Sequence, residues 1–150
     1  MRIIIMGTGP FAVPMLESIL ATGHDVPVVV TRPLPPPQGR KKPAANPLRE
    51  AANQYGLKLL DPADVNAANV VAELAELQAD LLVVCDFGQI LSPAALGVTP
   101  LGGINLHGSL LPKYRGAAPV QWAIINGDAT TGVTVIHMTP KLDGGPALCQ

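Results

Sequence analysis

Charge is scarce in this chain. Only 14% of its 150 residues are Asp, Glu, Lys or Arg, while 48% are hydrophobic; an ordinary soluble domain is roughly a quarter charged. That balance excludes intrinsic disorder, which needs low hydrophobicity and high net charge. Neither sign dominates. Ten Lys and Arg against eleven Asp and Glu give a net charge of −1, which excludes a wholly basic nucleic-acid module but leaves room for a local basic patch. Cysteine is nearly absent: Cys85 and Cys149 are the only two. They make neither a metal-ligand spacing nor a disulfide framework, so no metal is expected and a reducing cytoplasm is the natural compartment. Long hydrophobic runs are missing as well. The run from Ile3 breaks at Gly7-Thr8-Gly9-Pro10 and again at Pro14, short of the roughly 7–15 unbroken residues of a signal peptide. Nothing approaches the ~18 apolar residues that span a bilayer. Neither export nor membrane insertion is expected.

Turn formers, by contrast, are plentiful. Sixteen Pro and fifteen Gly imply short elements joined by many tight connections, and the length suits one domain with a real core. Residues 3–6, 26–31, 81–85, 103–107 and 132–138 are Val-, Ile- and Leu-rich runs of strand length. Several are apolar on both faces, as strands buried in a parallel sheet are. Residues 11–21, 47–55, 66–78 and 117–126 read as helices between them. Asn46-Pro47 and Ser92-Pro93 each look like an N-cap followed by Pro at the first helical position. The alternation predicts a Rossmann-like, doubly wound α/β fold, with a mostly parallel sheet and helices on both faces. Right-handed crossovers would then gather the strand C-terminal ends, and any site, along one edge.

Residues 32–47 differ from the rest. They hold six prolines and no acidic residue, and five of the ten cationic side chains (Arg32, Arg40, Lys41, Lys42, Arg49) fall between positions 32 and 49. Pro interrupts helices and sheet ladders, so an exposed, semi-extended basic loop is expected. It is either a solvated connector or a loop that contacts phosphates.

Three features could carry chemistry. Gly7-Thr8-Gly9-Pro10-Phe11-Ala12 fits the G-x-G-x-x-A dinucleotide fingerprint, in which glycines let the backbone approach a pyrophosphate. The second strand, however, ends in Thr31-Arg32 rather than in an acidic residue for the ribose. A tight turn or an NADP-type site, with Arg32 on the 2′-phosphate, are the two readings. In the run from Gly103 to Pro112, Asn105 and His107 alternate onto one side of a strand end. Asn offers an uncharged donor to a developing oxyanion, and His can exchange a proton near neutral pH; a merely capped strand end is the plain alternative. Asp143, after the run 132–138 and before Gly144-Gly145-Pro146, is the carboxylate that could orient His107. Asp86 could line the same edge. His24 in a turn and His137 within a strand read as structural.

Taken in order, Met6-Gly7-Thr8, Phe11-Ala12-Val13-Pro14, Gly88-Gln89-Ile90-Leu91, Asn105-Leu106-His107-Gly108-Ser109-Leu110-Leu111-Pro112, Arg115-Gly116-Ala117-Ala118-Pro119-Val120-Gln121, Gly127 to Thr134 and Leu142-Asp143-Gly144-Gly145 resemble the methionyl-tRNA formyltransferases over essentially the whole chain. The block from Asn105 to Thr134 is specific for folate-dependent formyltransferases. The opening block and Arg115-Gly116-Ala117-Ala118-Pro119 favour the tRNA enzymes over relatives acting on glycinamide ribonucleotide or amino-sugars.

The resemblance implies transfer of a formyl group from 10-formyltetrahydrofolate to the α-amine of methionine on initiator tRNA, with no metal. Asn105, His107 and Asp143 match the family's catalytic trio. Ser109, Leu110, Leu111 and Pro112, with Gly88, Gln89 and Ile90, match its folate-binding segments. Arg40, Lys41 and Lys42 match the loop that approaches the tRNA acceptor stem. Residues 1–150 correspond to the folate-binding catalytic domain, incomplete at its C-terminus and without the C-terminal tRNA-binding barrel. The family enzymes are monomers, whereas this piece is expected to self-associate and to have weak or no activity alone; a non-catalytic folate- or tRNA-binding remnant is the alternative. Two local departures stand out. Gly9-Pro10 replaces the usual Pro-Asp, and Asp143-Gly144-Gly145-Pro146 replaces Asp-Thr-Gly-Asp, which loses a carboxylate and is expected to loosen the loop.

Overall fold

In the computed structural model, which describes residues 1–35 and 45–150, the first hydrophobic run forms strand β1 (Ile3–Gly7), buried along its whole length. Alternation explains that pattern. Ile4 and Met6 enter one core with Val28, Val30, Leu74, Leu82 and Val84. Ile3 and Ile5 enter a second core with Met15, Leu16, Val29, Leu48 and Val83. After β1 come a 3-10 turn (Pro10–Ala12), α1 (Val13–Ala21), β2 (Val29–Val30), α2 (Pro47–Gln54), β3 (Leu59–Leu60), α3 (Ala68–Glu76) and β4 (Leu81–Cys85). Then follow α4 (Pro93–Leu96), β5 (Gly103–His107), α5 (Pro119–Ile125), β6 (Thr134–His137) and β7 (Ala147–Cys149).

The seven strands lie in the order β3-β2-β1-β4-β5-β6-β7. Neighbours from β3 to β5 pair in parallel; β6 and β7 add antiparallel. Buried residues of α1 and α2 belong to one core, and those of α3 and α4 to the other. The sheet is therefore covered on both faces, as the alternation of runs predicts. Chain order reverses between β1 and β4, and a crevice opens there beyond the strand ends.

Several boundaries differ from the sequence reading, and proline accounts for most of them. The strand expected at 26–31 contributes only Val29 and Val30 to the ladder, because Pro27 has no N–H to give. The helix expected from position 11 begins as a separate 3-10 turn with Pro10 in its first turn, and α1 then starts with Pro14 in its own. The run 132–138 contributes Thr134–His137. β3 is two half-buried residues at the sheet edge, too short to leave a periodicity. Gly7 has a packing reason: a Cβ there would sit 2.6 Å from the Cys85 carbonyl oxygen, 2.8 Å from Ala12 Cβ and 2.9 Å from Leu48 Cδ2.

Both expected caps form. Ser92 Oγ accepts from the Ala95 N–H. Asn46 is almost fully buried; its Oδ1 accepts from the Arg49 N–H at 3.0 Å while its Nδ2 donates to Thr31 Oγ1 at 2.8 Å. One side chain thus caps α2 and satisfies a buried hydroxyl at the end of β2. Asn46→Ala is expected to lower the unfolding free energy by about 2 kcal/mol, by removing the cap and orphaning the hydroxyl. Urea denaturation checks this, and a loss below about 0.5 kcal/mol would show that water replaces both partners.

Candidate active site

Beyond the strand ends lies an open cavity of about 1000 Å³, at the upper end of the size of small-molecule sites. Its walls come from the turn after β1 (Pro10, Phe11), the segment after β4 (Asp86 to Leu91), the end of β5 (Asn105 to Gly108), residues 116–121 and residues 138–143 after β6.

Strand pairing fixes the central side chains. Asn105 pairs with Val84 of β4 and Ile136 of β6, and His107 with Thr134, so both have little backbone freedom. Asp143 reaches them from the turn after β6, with φ +43°. Asn105 Nδ2 donates to Asp143 Oδ1 at 3.4 Å, and the Gly116 backbone N–H donates to Oδ2 at 2.8 Å. His107 Nδ1 lies 3.7 Å from the same Oδ2, with only 6% of the His107 side chain and 11% of that of Asp143 exposed. On its other side the ring donates from Nε2 to the Tyr114 carbonyl at 2.8 Å. Each ring nitrogen therefore faces an acceptor, and the imidazole is held in one orientation.

The loop between β5 and α5 is secured independently. Ser109 Oγ donates to the Lys113 carbonyl, Thr134 Oγ1 donates to the Ser109 carbonyl, and the Leu111 N–H donates to Thr134 Oγ1. Tyr114 OH and Lys113 Nζ both reach Asp128, and these two partners, Tyr114 foremost, hold the Asp128 carboxyl below its usual range. A Cβ at Gly145 would fall 1.8 Å from the His137 carbonyl oxygen, so glycine lets this turn fold back tightly onto β6, where the His137 N–H donates to the Pro146 carbonyl.

Not every expected site residue reaches the cavity. Gly88 and Ile90 line it, Ile90 with 73% of its surface exposed. Gln89 borders it too, but its amide is engaged elsewhere: Oε1 accepts from the Val65 N–H and Nε2 donates to the Pro62 carbonyl. Ser109, Leu110, Leu111 and Pro112 are not on its wall. Ser109 is fully buried in the loop network, and Leu110 covers Gly132 and borders a separate, smaller cavity with Asp128. Their bonds build the loop behind His107. Arg40, Lys41 and Lys42 lie outside the described residues. Sequence reasoning missed the Tyr114 carbonyl and the Gly116 N–H, since backbone groups leave no residue-type signal. It also missed Thr134, whose signal is only a buried hydroxyl on a strand.

The remaining candidates separate by environment. Burial, with the Asp86 charge beside it, pushes the Cys85 thiol up to about 12, so it is no nucleophile at neutral pH. Partial desolvation raises the carboxyl of Asp86, a residue still exposed to solvent at the cavity, with the Gly9 amide partly offsetting it. His24 contacts the N-terminal amine, and His137 donates from Nε2 to the Leu101 carbonyl; neither lines the cavity. Among the described residues no group of three or more His, Cys, Asp or Glu is placed to hold a metal.

Comparison with known proteins sets this geometry in a family context. The sequence profile of the formyl transferase family matches residues 1–150. A methionyl-tRNA formyltransferase of Rhodopirellula baltica is 58% identical over 154 residues, covering 100% of this chain and 46% of that protein. One from Ruminiclostridium cellulolyticum is 48% identical over 150 residues, covering 100% and 48%. The chain thus spans about half the length of the curated relatives it matches. Among solved structures, phosphoribosylglycinamide formyltransferase from Bacillus halodurans superposes with a TM-score of 0.79 at 24% identity, covering 100% of this chain and 78% of that one. Glycinamide ribonucleotide transformylase 1 from Symbiobacterium toebii gives 0.74 at 26% identity, covering 99% and 71%.

The raised Asp86 carboxyl generates a pH prediction. The folded state binds this proton more tightly than the unfolded chain does, so stability is lost as pH rises from the unfolded carboxylate range through the folded pKa. Asp86→Asn removes that loss. Its melting temperature is expected to exceed that of the parent at pH 7, and the gap to shrink when the pH falls below the ordinary carboxylate range. A gap independent of pH would assign the gain to the left-handed backbone, which Asn tolerates well.

Proposed function

The chain belongs to the formyl transferase family, and from that premise we propose that it forms the folate-binding catalytic domain of a methionyl-tRNA formyltransferase. The reaction proposed is transfer of a formyl group from 10-formyltetrahydrofolate to the α-amine of methionine on initiator tRNA. The observation that carries this reading is the Asp143 carboxylate facing both Asn105 and His107 at the end of β5. Relatives bearing that name, 43–58% identical over nearly the whole chain, favour the tRNA-bound acceptor. The tRNA-binding barrel is assigned to the further length that those relatives have.

The cavity suits a folate by size and by composition, because Ile90, Leu91 and Met138 offer apolar surface to a flat ring beside polar groups at the strand ends. When bound, 10-formyltetrahydrofolate supplies an activated formyl carbonyl. Asn105 donates to Asp143 through one amide hydrogen and keeps the other for the carbonyl oxygen, which gains negative charge as the amine adds. His107, in its doubly protonated form, places positive charge beside that oxygen. Asp143 orients the imidazole and takes up the proton that the amine sheds, directly or through water. Gly88 and Ile90 border the bound ring system; Ser109, Leu110, Leu111 and Pro112 support the loop that positions His107. Arg40, Lys41 and Lys42 give the acceptor stem a cluster of positive charge, a role that rests on sequence alone. No helix among the described residues is long and apolar enough to cross a membrane, and the cytoplasm, where initiator tRNA is charged, is the proposed compartment.

Calorimetric titration with the stable analogue 5-formyltetrahydrofolate is the first test, and saturable binding that His107→Ala weakens is the expected result. Binding without transfer to methionyl-tRNA would reduce this chain to a folate-binding remnant. No binding by a folded chain would overturn the site assignment. In the transfer assay Asn105→Ala and Asp143→Asn are each expected to cost roughly 10²–10³-fold in rate. An Asp143→Asn variant with an unchanged rate and pH profile would remove Asp143 from the mechanism.

The basic cluster has its own readout. Replacing Arg40, Lys41 and Lys42 together by Ala is expected to weaken tRNA binding and to flatten the dependence of log K on log salt by about two to three, near one for each phosphate no longer neutralised. An unchanged slope would make the segment a solvated connector.

A further inference from the structure

The G-x-G-x-x-A turn of this chain is already faced by an anion of the protein's own. Asp86 follows β4, the neighbour of β1, so it stands across the crevice where strand order reverses. Its backbone is left-handed, φ +49°, a conformation uncommon outside glycine, Asn and Asp. Its carboxylate lies so close to Gly9 that a Cβ there would fall 1.9 Å from Oδ2. Gly9 and Asp86 therefore form a matched pair: any other residue at position 9 would drive the carboxylate out.

A glycine turn binds phosphate through free backbone N–H groups at a helix start, and this one has few to give. Pro10 has none, the Ala12 N–H is used by the Gly9 carbonyl, and the Gly9 amide faces Asp86. Thr8 Oγ1 is turned to the Phe87 carbonyl. Among the described residues no cation forms an ion pair with Asp86, whereas its side chain borders the same cavity as Asn105, His107 and Asp143. A carboxylate only accepts hydrogen bonds. This end of the cavity is thus built for a ligand group that donates them, and it repels an anion.

We propose that Asp86 is a specificity-determining residue at the end of the cavity nearest the first turn, where it accepts a hydrogen bond from a hydroxyl or ammonium group of the formyl acceptor and excludes acceptors that carry a phosphate there. The proposal rests on the formyl-transfer reading above and adds to it a criterion for the acceptor. It also implies that the fingerprint turn binds a dinucleotide poorly.

The test is calorimetric, on this chain and on Asp86→Asn and Asp86→Gly, the last suited to the positive φ. Three probes are used: ribose 5-phosphate, a non-hydrolysable 3′-methionylamido-adenosine, and 5-formyltetrahydrofolate. Both variants are expected to bind ribose 5-phosphate at least about tenfold tighter than the parent, and the adenosine analogue about tenfold weaker, the worth of one hydrogen bond to a charged group. Analogues lacking the amine or the ribose hydroxyl identify the donor, since only the one that removes it abolishes the difference between parent and variants. Unchanged affinities for both acceptor-side probes in both variants would overturn the proposal. Absence of 5-formyltetrahydrofolate binding in all three proteins would overturn the formyl-transfer reading instead, while the ribose 5-phosphate comparison would still decide whether Asp86 excludes phosphate.

Discussion

The carboxylate of Asp143 is where the functional end of this molecule is tied together. It accepts from Asn105 on β5 and from the backbone of Gly116 beyond it, and it faces His107 from a turn that follows β6. The partners it joins are far apart in the chain. A single buried carboxylate without such donors would be costly; with them it fixes how the two loops beyond β5 and β6 stand relative to the sheet. The Tyr114 carbonyl completes the arrangement from the opposite side of the imidazole. His107 is thus oriented by the same loops that it helps to hold.

This local order has an energetic counterpart in the backbone. Non-glycine residues with left-handed φ are uncommon, yet Asp86, Tyr114, Ala118 and Asp143 all adopt it at or beside the cavity, with Gln78 the remaining case among the described residues. Such residues persist where their surroundings over-determine them. Here the surroundings are identifiable: the ladder of β5 against β4 and β6, the Ser109–Thr134–Leu111 network, and the bonds from Tyr114 and Lys113 to Asp128. The two apolar cores on either face of the sheet supply the stability that offsets this strain.

The parts of this design that were legible in the sequence are those carried by side-chain type and period. The runs 81–85 and 103–107 coincide with β4 and β5, because both are unbroken by proline and lie inside the sheet. Asn105 and His107 were readable as a pair because strand alternation puts positions two apart on one side. Asp143 was readable only as a carboxylate at a strand end; the Gly116 amide and the Tyr114 carbonyl that complete its surroundings are backbone groups and leave no trace in composition. Gly145 has a role that composition does not reveal: its missing Cβ lets the turn come against His137. Ser109 to Pro112 carry a folate-binding expectation through resemblance alone; in this structure they lie off the cavity wall, with the Ser109 hydroxyl bonded within the loop itself.

The cavity therefore presents two carboxylates of unequal standing. Asp143 is supplied with protein donors on both oxygens, so its charge serves to orient Asn105 and His107 and to receive a proton in place. Asp86 sees one backbone amide and no ion-pair partner among the described residues, and desolvation weighs against its charge. Environment, not residue type, separates their tasks. A carboxylate to which the protein already supplies donors on both oxygens gains less from a further one than a carboxylate that meets a single amide. A donor-bearing acceptor that enters this cavity thus gives Asp86 a partner at one wall while leaving the assembly around Asp143 intact. A phosphate-bearing acceptor would meet like charge there. The same asymmetry that makes one carboxylate a fixed part of the machinery makes the other a selector of what reaches it.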